Sequence, residues 1–441
     1  MILTALLLSA GLSLRDVQER ARTNDPRVQQ AIAQLQNAQG KRDEAHAMWF
    51  PQIESTGYVG GPTPEHYLKG GSNDPDPTGP FETLHRCTFC GQLGVVLHAD
   101  VQAILPLWTF GKIDAGKSAT AHLVGATEAL LQRARDQASY DAARAYWGYQ
   151  TARNAQDALQ KIRSRIEDAR KTADKLLQGE SEQITKADRL KIDYLAEEIE
   201  ANGAAAIKNR DLAITGMRSL LALKPEEPLE VLQEALPEPP LQPALEAVLS
   251  RALERRPEVR ATEEAVKARM AQVDLETARL WPDIGLVGGA RFTETTNASN
   301  PPSPFVANPY HELSGYVALG FRGTFDVPQK LARRRQAQAD LAEALAMRRG
   351  AEQLVRLEVS QALGDLAEAR VKVDRYTKET AIGKQLATQA GVAFDSGLSE
   401  ARELLEDTLL FARADGARLE ALYNVQLAWA ALEKAAGGPL Q

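Results

Sequence analysis

Displaced by 231 residues, the first part of this 441-residue chain lies on its own middle. Leu14, Val17, Arg20, Ala21, Pro26, Val28, Asp43, Ala47, Pro51, Ile53 and Gly57 meet identical residues at Leu245, Val248, Arg251, Ala252, Pro257, Val259, Asp274, Ala278, Pro282, Ile284 and Gly288, with no gap. Farther on a displacement of 218 takes over. Lys112, Ala119, Ala121, Leu123, Ala126, Gly179, Ser181 and Glu182 then fall on Lys330, Ala337, Ala339, Leu341, Ala344, Gly397, Ser399 and Glu400. The difference lies between Gly57 and Lys112, where the first half carries a longer loop. Self-similarity at a fixed displacement marks a duplicated structural unit. Whatever one half folds into, the other must also be able to adopt. The expected layout is a first repeat over 14–224, a Pro-rich linker over 225–243 and a second repeat over 244–438.

Each repeat reads in the same order. Helices are expected over 14–50 and 244–281, each interrupted at a proline, Pro26 or Pro257, that suits the first position of a helix because its missing N–H would be unpaired there anyway. At Trp49-Phe50-Pro51 and Leu280-Trp281-Pro282 the period changes to two. Leu93, Val95, Leu97, Ala99, Val101, Ala103 and Leu105 alternate with Gly94, His98, Asp100 and Gln102. Val317, Leu319, Phe321 and Phe325 alternate with Tyr316, Ala318, Gly320 and Arg322, and Ile53–Val59 and Ile284–Phe292 show the pattern more weakly. Alternation gives one apolar and one wetter face. The expectation is two β-hairpins, over 51–109 with a long external loop at 61–92 and over 282–327 with an external loop at 294–313. Four strands cannot close a barrel, and open edges are not tolerated in lipid, so a membrane role would require several chains to share one barrel.

After each hairpin comes a long proline-free stretch, 118 residues between Pro106 and Pro225 and 110 between Pro328 and Pro439. Both are rich in helix formers. Each is broken once at glycine, which suits a helix C-terminal cap, followed by serine, which suits the next N-terminus. Helical hairpins are therefore expected over 110–222, turning at 178–181, and over 328–436, turning at 395–399. An arm of about 65 residues would be roughly 100 Å long. The last arm shows two apolar seams. One is Leu405, Leu409, Ala412, Gly416, Leu419, and the other is Leu404, Phe411, Leu422, Val425, Trp429, Leu432. Two seams call for coiled-coil neighbours on both sides.

Composition narrows the function. Aromatics make up 6% and the formal net charge is -7, against the basic face that a nucleic-acid partner needs. No apolar run approaches the roughly 20 residues of a spanning helix. Residues 1–13 begin Met-Ile-Leu-Thr-Ala-Leu-Leu-Leu-Ser-Ala and read as the remnant of a signal peptide, which implies export. Gly111 to Ser118 matches the phosphate-loop spacing GxxxxGK[ST], but no strand and acidic residue follow to hold magnesium, and its duplicate lacks the glycines. His85-Arg-Cys87-Thr-Phe-Cys90 could hold zinc or be a redox pair, but for two cysteines in an exported loop a local disulfide is the simplest reading. No catalytic constellation, cofactor motif or assigned metal site emerges, and the chain is read as no enzyme.

The helix-to-strand junctions at Pro51 and Pro282, the junction Leu107-Trp-Thr-Phe-Gly-Lys-Ile113 and the glycine turns at Gly179 and Gly397 resemble those of the TolC-like outer-membrane efflux protein family, over about Leu14 to Gly437. The resemblance implies a mostly α fold with a small β part. It implies a homotrimer, whose twelve strands form an outer-membrane β-barrel continuous with a periplasmic α-helical barrel. The implied function is the passive exit duct of a tripartite efflux or type I secretion system in a Gram-negative bacterium. The implied partners are outer-membrane lipid, a periplasmic adaptor (membrane fusion protein) and an inner-membrane pump of the RND or ABC type. Adaptor docking falls on Gln178, Gly179, Glu180 and Ser181 and on Ser396, Gly397, Leu398 and Ser399. The acidic rings of the channel entrance fall on Glu403 and Glu406, where the archetype has Asp; Thr185 and Asp188 are their first-repeat equivalents. The archetype's arginine near the second turn falls on Ser399. The rival reading is a soluble periplasmic scaffold or adaptor without channel activity.

Overall fold

The computed structural model describes residues 11–60, 65–68, 85–88, 94–178, 185–296, 310–396, 398–399 and 401–440. The first run of elements is α1 (Leu14–Asn24), α2 (Pro26–Ala47), β1 (Gln52–Gly60), β2 (Glu65–Leu68), β3 (His85–Thr88), β4 (Val96–Trp108), α3 (Lys112–Gln178) and α4 (Lys186–Leu220). The second is α5 (Leu245–Arg255), α6 (Pro257–Ala278), β5 (Asp283–Thr295), β6 (Glu312–Arg322), α7 (Val327–Asp395) and α8 (Ala401–Ala435). The chain is mostly helical with a small antiparallel sheet. It forms two compact units. One holds Met1–Ala38, Leu123–Val266 and Glu343–Gln441, and the other holds Gln39–His122 and Lys267–Ala342.

The first unit is helical. Ser13 caps α1 by accepting the Asp16 N–H, while the Asp16 carboxylate accepts the Ser13 N–H. Thr185 and Asp188 cap α4 in the same reciprocal way. Pro26 and Pro257 open α2 and α6. Three apolar clusters hold the unit together. Val17 and Ala21 of α1 and Val28 of α2 pack with Ala138, Ala142 and Tyr146 of α3 and Met217 of α4. Their duplicates Val248, Ala252 and Val259 pack with Val355, Val359 and Leu366 of α7 and Val425 and Leu432 of α8. In the third cluster, Ile162 and Ile166 of α3 and Ile192 and Leu195 of α4 meet Phe394 of α7 and Leu404, Leu405 and Leu409 of α8. The two seams read on α8 do not separate by neighbour: Leu404 and Phe411 of one join Leu405, Leu409 and Ala412 of the other in the third cluster, while Leu422, Val425, Trp429 and Leu432 pack in the second.

Beside each opening proline sits a buried charge, and its sign differs between the halves. Asp25 accepts from the Arg27 N–H and guanidinium, both at 2.7 Å, and Arg27 reaches Asp141 of α3 at 2.8 Å. Burial alone would push the Asp25 carboxyl up, but the bonds from Arg27 outweigh it and hold the group below the usual carboxylate range. In the second half the buried group is Arg256, paired with Glu258 at 3.0 Å and Glu358 of α7 at 2.5 Å. Removing one partner of a buried pair leaves an uncompensated charge. Arg27→Ala is therefore expected to lower stability by about 3 kcal/mol at neutral pH. A carboxyl depressed in the folded state stabilises above its unfolded pKa and loses that contribution as pH falls. The deficit should shrink once acid protonates Asp25. Melts of both proteins from neutral to acid pH check this.

The second unit is built on a four-stranded antiparallel sheet in the order β1-β4-β5-β6. Gln52 pairs with Ile104, Ala103 with Gly288, and Gly288 with Val317. The chain leaves β4 through Phe110 and Gly111, both at positive φ, of which Gly111 at 87° needs no strain. Lys112 then donates to the Trp281 carbonyl and to Asp283, both at 2.7 Å, fixing the start of α3 against the start of β5.

Two expectations change. The stretch 61–92, read as loop, contains β2 and β3 as a two-stranded ribbon with His66 opposite Cys87. Four-residue strands among Gly, Pro and Asp carry too few alternations to show a period. β5 also runs to Thr295, beyond the expected Phe292, because Gly and Ala at alternate places blur the apolar pattern.

Candidate functional site

The sheet is sorted by face. Residues directly opposite in antiparallel strands share a face, so the registers assign every side chain. On one face lie Ile53, Gly57 and Val59 of β1, Leu97, Ala99, Val101, Ala103 and Leu105 of β4, Leu286, Gly288, Ala290 and Phe292 of β5, and Leu313, Gly315, Val317, Leu319 and Phe321 of β6. Only Ser55 and, at the far end, Glu294 interrupt it. This apolar face is exposed: Val317 is 74% and Phe321 76% accessible. A contiguous exposed apolar surface of this kind marks a site that meets another phase or partner.

The opposite face is polar and internally bonded. Asp100 pairs with Arg291 at 3.3 Å. The His98 ring lies 2.9 Å from the Thr293 hydroxyl and stacks on Tyr58. Gln102 donates to the Tyr316 hydroxyl at 3.2 Å. Tyr316 reaches Gln102 across β5 because position 289 is glycine. A Cβ there would lie 2.7 Å from the ring. Where this face meets the helix starts, a cavity of about 570 Å³ has Lys112, Arg279, Asp283 and Arg322 in its wall, together with Ile104 and Val287. Tyr316 stood on the wetter face in the sequence reading, whereas Arg291 and Thr293 escaped it. Applying the two-residue period to all of Asp283–Thr295 would have found both.

At the same end of the sheet aromatic rings gather. Phe110 stacks on Trp281 at 5.6 Å and meets Trp108 edge-on at 6.2 Å. Phe50 and Phe325 are exposed as well. Rings of this kind suit a boundary between apolar and aqueous phases.

The comparisons with known proteins agree with this geometry. Residues 248–438 match the family described as outer membrane efflux protein. The resemblance to that family holds. No curated protein matches the sequence. Among solved structures the chain is similar to the outer-membrane channel OprN, with 21% identity, a TM-score of 0.74, and 97% of this chain and 90% of that one covered. It is similar to the open-state MtrE outer-membrane channel of Neisseria gonorrhoeae, with 18% identity, a TM-score of 0.74, and coverage of 97% and 89%. It is also similar to the outer-membrane protein VceC of Vibrio cholerae, with 16% identity, a TM-score of 0.73 and 97% of both chains covered. At these identities the likeness establishes the fold.

The positions singled out by the outer membrane efflux protein resemblance lie at the ends of α3, α4, α7 and α8. Glu403 is exposed. Glu406 accepts from Arg402 one turn earlier, at 2.9 Å. Asp188 serves as the reciprocal cap of α4 and pairs with Lys191 at 3.0 Å, and the Thr185 hydroxyl holds its carboxyl below the usual range. Gln178 ends α3. Ser396 follows α7, Leu398 is exposed and donates its N–H to the Ala393 carbonyl at 2.7 Å, and the Ser399 hydroxyl is buried. Gly179, Glu180, Ser181, Gly397 and Cys90 lie outside the described residues, as does the side chain of Cys87. Lys112 to Ser118, the phosphate-loop look-alike, are helical from their first residue and follow an antiparallel strand. Among the described residues no cluster of His, Cys, Asp and Glu could hold a metal, and no helix is long and apolar enough to cross a membrane.

Gly289→Ala should displace the Tyr316 ring and cost about 1–3 kcal/mol. In a Tyr316→Ala background the same change should be nearly neutral. The double-mutant cycle, read by melting, checks that the glycine exists to pass the ring.

Proposed function

We propose that the chain is one protomer of a homotrimeric outer-membrane channel, the passive exit duct of an efflux or type I secretion pathway in a Gram-negative bacterium. One observation carries this reading. A sheet with one apolar and one polar face, both exposed, ends in the edge strands β1 and β6. Such edges enter hydrocarbon only when paired. Three copies joined edge to edge supply twelve strands and leave no edge. The apolar face then meets lipid, the polar rungs of Asp100, Arg291, Gln102 and Tyr316 line water, and the rings around Trp108, Phe110 and Trp281 mark the periplasmic boundary.

The helical hairpins extend this duct into the periplasm. Their turns, Gln178–Ser181 and Ser396–Ser399, receive a periplasmic adaptor, and an inner-membrane pump of the RND or ABC type supplies the energy. Glu403 and Glu406 form acidic rings at the entrance, with Asp188 as the first-repeat counterpart. Threefold repetition would concentrate these carboxylates and favour cations there.

The decisive test is to purify the protein from outer membranes and record currents in a planar bilayer. A trimer in mild detergent and stepwise conductance are expected. A protein that stays monomeric and soluble without detergent would instead be a periplasmic scaffold, and the channel reading would be lost. Glu403→Ala with Glu406→Ala should reduce cation selectivity, and unchanged selectivity would remove the rings. Val317→Arg, on the lipid side, should cost about 2–4 kcal/mol and deplete folded protein from the membrane. Ala318→Arg, on the water side, should leave folding intact, as judged by the yield of membrane-inserted trimer.

A further inference from the structure

The polar face of the sheet changes character at its helix end. Its bonded rungs are Asp100 with Arg291 and Gln102 with Tyr316. At the next rungs the same face carries Ile104 opposite Val287, then Pro106 opposite Gly285. These residues form one wall of the cavity of about 570 Å³, and Met48, Ile113 and Leu275 of the neighbouring helix ends supply another. The whole cavity lies within one compact unit. A largely apolar wall with a few charged groups, at this size, is the usual make-up of a small-molecule site.

Four charged side chains stand in that wall, and three of them are answered. Lys112 and Asp283 bond each other at 2.7 Å. Arg279 pairs with Glu276 at 2.5 Å. Arg322, directly across the ladder from Asp283, is exposed, and its guanidinium has no partner among the described residues. The wall therefore presents one unanswered positive charge beside apolar surface.

The cavity is kept open by a residue that weakens its own helix. Gly116 lines it from the early part of α3, where glycine is unfavourable. A Cβ there would meet no atom within 4 Å, so no close approach requires the glycine. Nor does the architecture, because the repeat puts Arg334 at the same place in α7. Gly116 belongs to the phosphate-loop look-alike, and what it provides is space.

We infer that this cavity is a subsite for an amphipathic organic anion, an apolar body carrying one carboxylate, sulfonate or phosphate. The apolar body lies against Ile104, Val287 and Leu275 in the space before Gly116, and the anionic head bonds the Arg322 guanidinium. The inference rests on the channel reading, which turns this face of the sheet toward water, and deepens it by naming a class of solute that pauses there.

The test uses the full chain purified in mild detergent and a photoreactive benzophenone carboxylate. Illumination should label the peptide that holds Met48, and naphthalenesulfonate should compete for the label. Arg322→Gln should raise the half-saturating concentration of the probe about tenfold, the loss of one charge-assisted hydrogen bond. It should leave labelling by uncharged benzophenone unchanged. Gly116→Leu, which favours the helix and fills the cavity, should abolish labelling by both probes without loss of helical content. In planar bilayers naphthalenesulfonate should reduce the current saturably for the natural chain and not for Gly116→Leu. A protein that conducts but shows no competed label at Met48, or whose labelling by the carboxylate is indifferent to Arg322→Gln, overturns the subsite and leaves the channel reading standing. A protein that is labelled yet never conducts overturns the channel reading, and the placement of this subsite in a duct goes with it.

Discussion

Unpaired backbone amides at the two ends of the sheet constrain everything else. In water a strand edge is only an invitation to aggregate, but in hydrocarbon each unmatched N–H or C=O costs several kcal/mol. The sheet's sorted faces would have no use in a small soluble domain. There the apolar side would lie on helices and only the other side would be wet. Here both are open, and apolar exposure is highest on β6, one of the edge strands. In the proposed channel, the demand for edge partners and the demand for an apolar surrounding are met by one geometry, a cylinder closed by further copies.

The helices answer a different requirement. Long arms of Ala, Glu, Arg and Leu have little intrinsic reason to stay in one arrangement, because helix propensity alone is weak and most helical stability comes from packing. The three apolar clusters supply that packing. Near the hairpin turns α3 and α4 add charge pairs, Arg170 with Asp193 and Arg189 with Asp174. In α7 and α8 the corresponding positions are Thr388, Phe411, Asp407 and Val392, which cannot reproduce those pairs. The duplicate hairpins therefore reach similar shapes through different chemistry.

Much of this architecture was legible in the sequence. The alternation from Leu97 to Leu105 located β4 and its two faces, since a two-residue period kept over that length puts every apolar side chain on one side only if the backbone is extended. The proline-free stretches located the long helices, each stretch holding two, with α3 ending at Gln178 and α4 starting at Lys186, and α7 ending at Asp395 and α8 starting at Ala401. The polar rungs were harder. Asp100, Gln102 and Tyr316 stood out beside apolar neighbours, but Arg291 belongs to a strand whose Gly and Ala weaken the contrast, and pairing depends on a register that no single strand encodes. The β2–β3 ribbon was too short to announce itself. Asp188 shows a different limit. A carboxylate three residues after a threonine is a helix cap by local rules and an entrance acid by resemblance, and both readings use the same atoms.

The buried charges beside Pro26 and Pro257 also say something about history. In each half one arginine holds two carboxylates, yet it stands at position 27 in the first and at 256, the equivalent of 25, in the second. Exchanging the two signs one residue at a time would pass through either two arginines or two acids side by side, one of them out of water. Both intermediates are worse than either end. The halves must have crossed that valley together or by a detour, so each is now committed to its own solution. A single substitution that makes one half look more like the other at this place would be a step backwards into the valley.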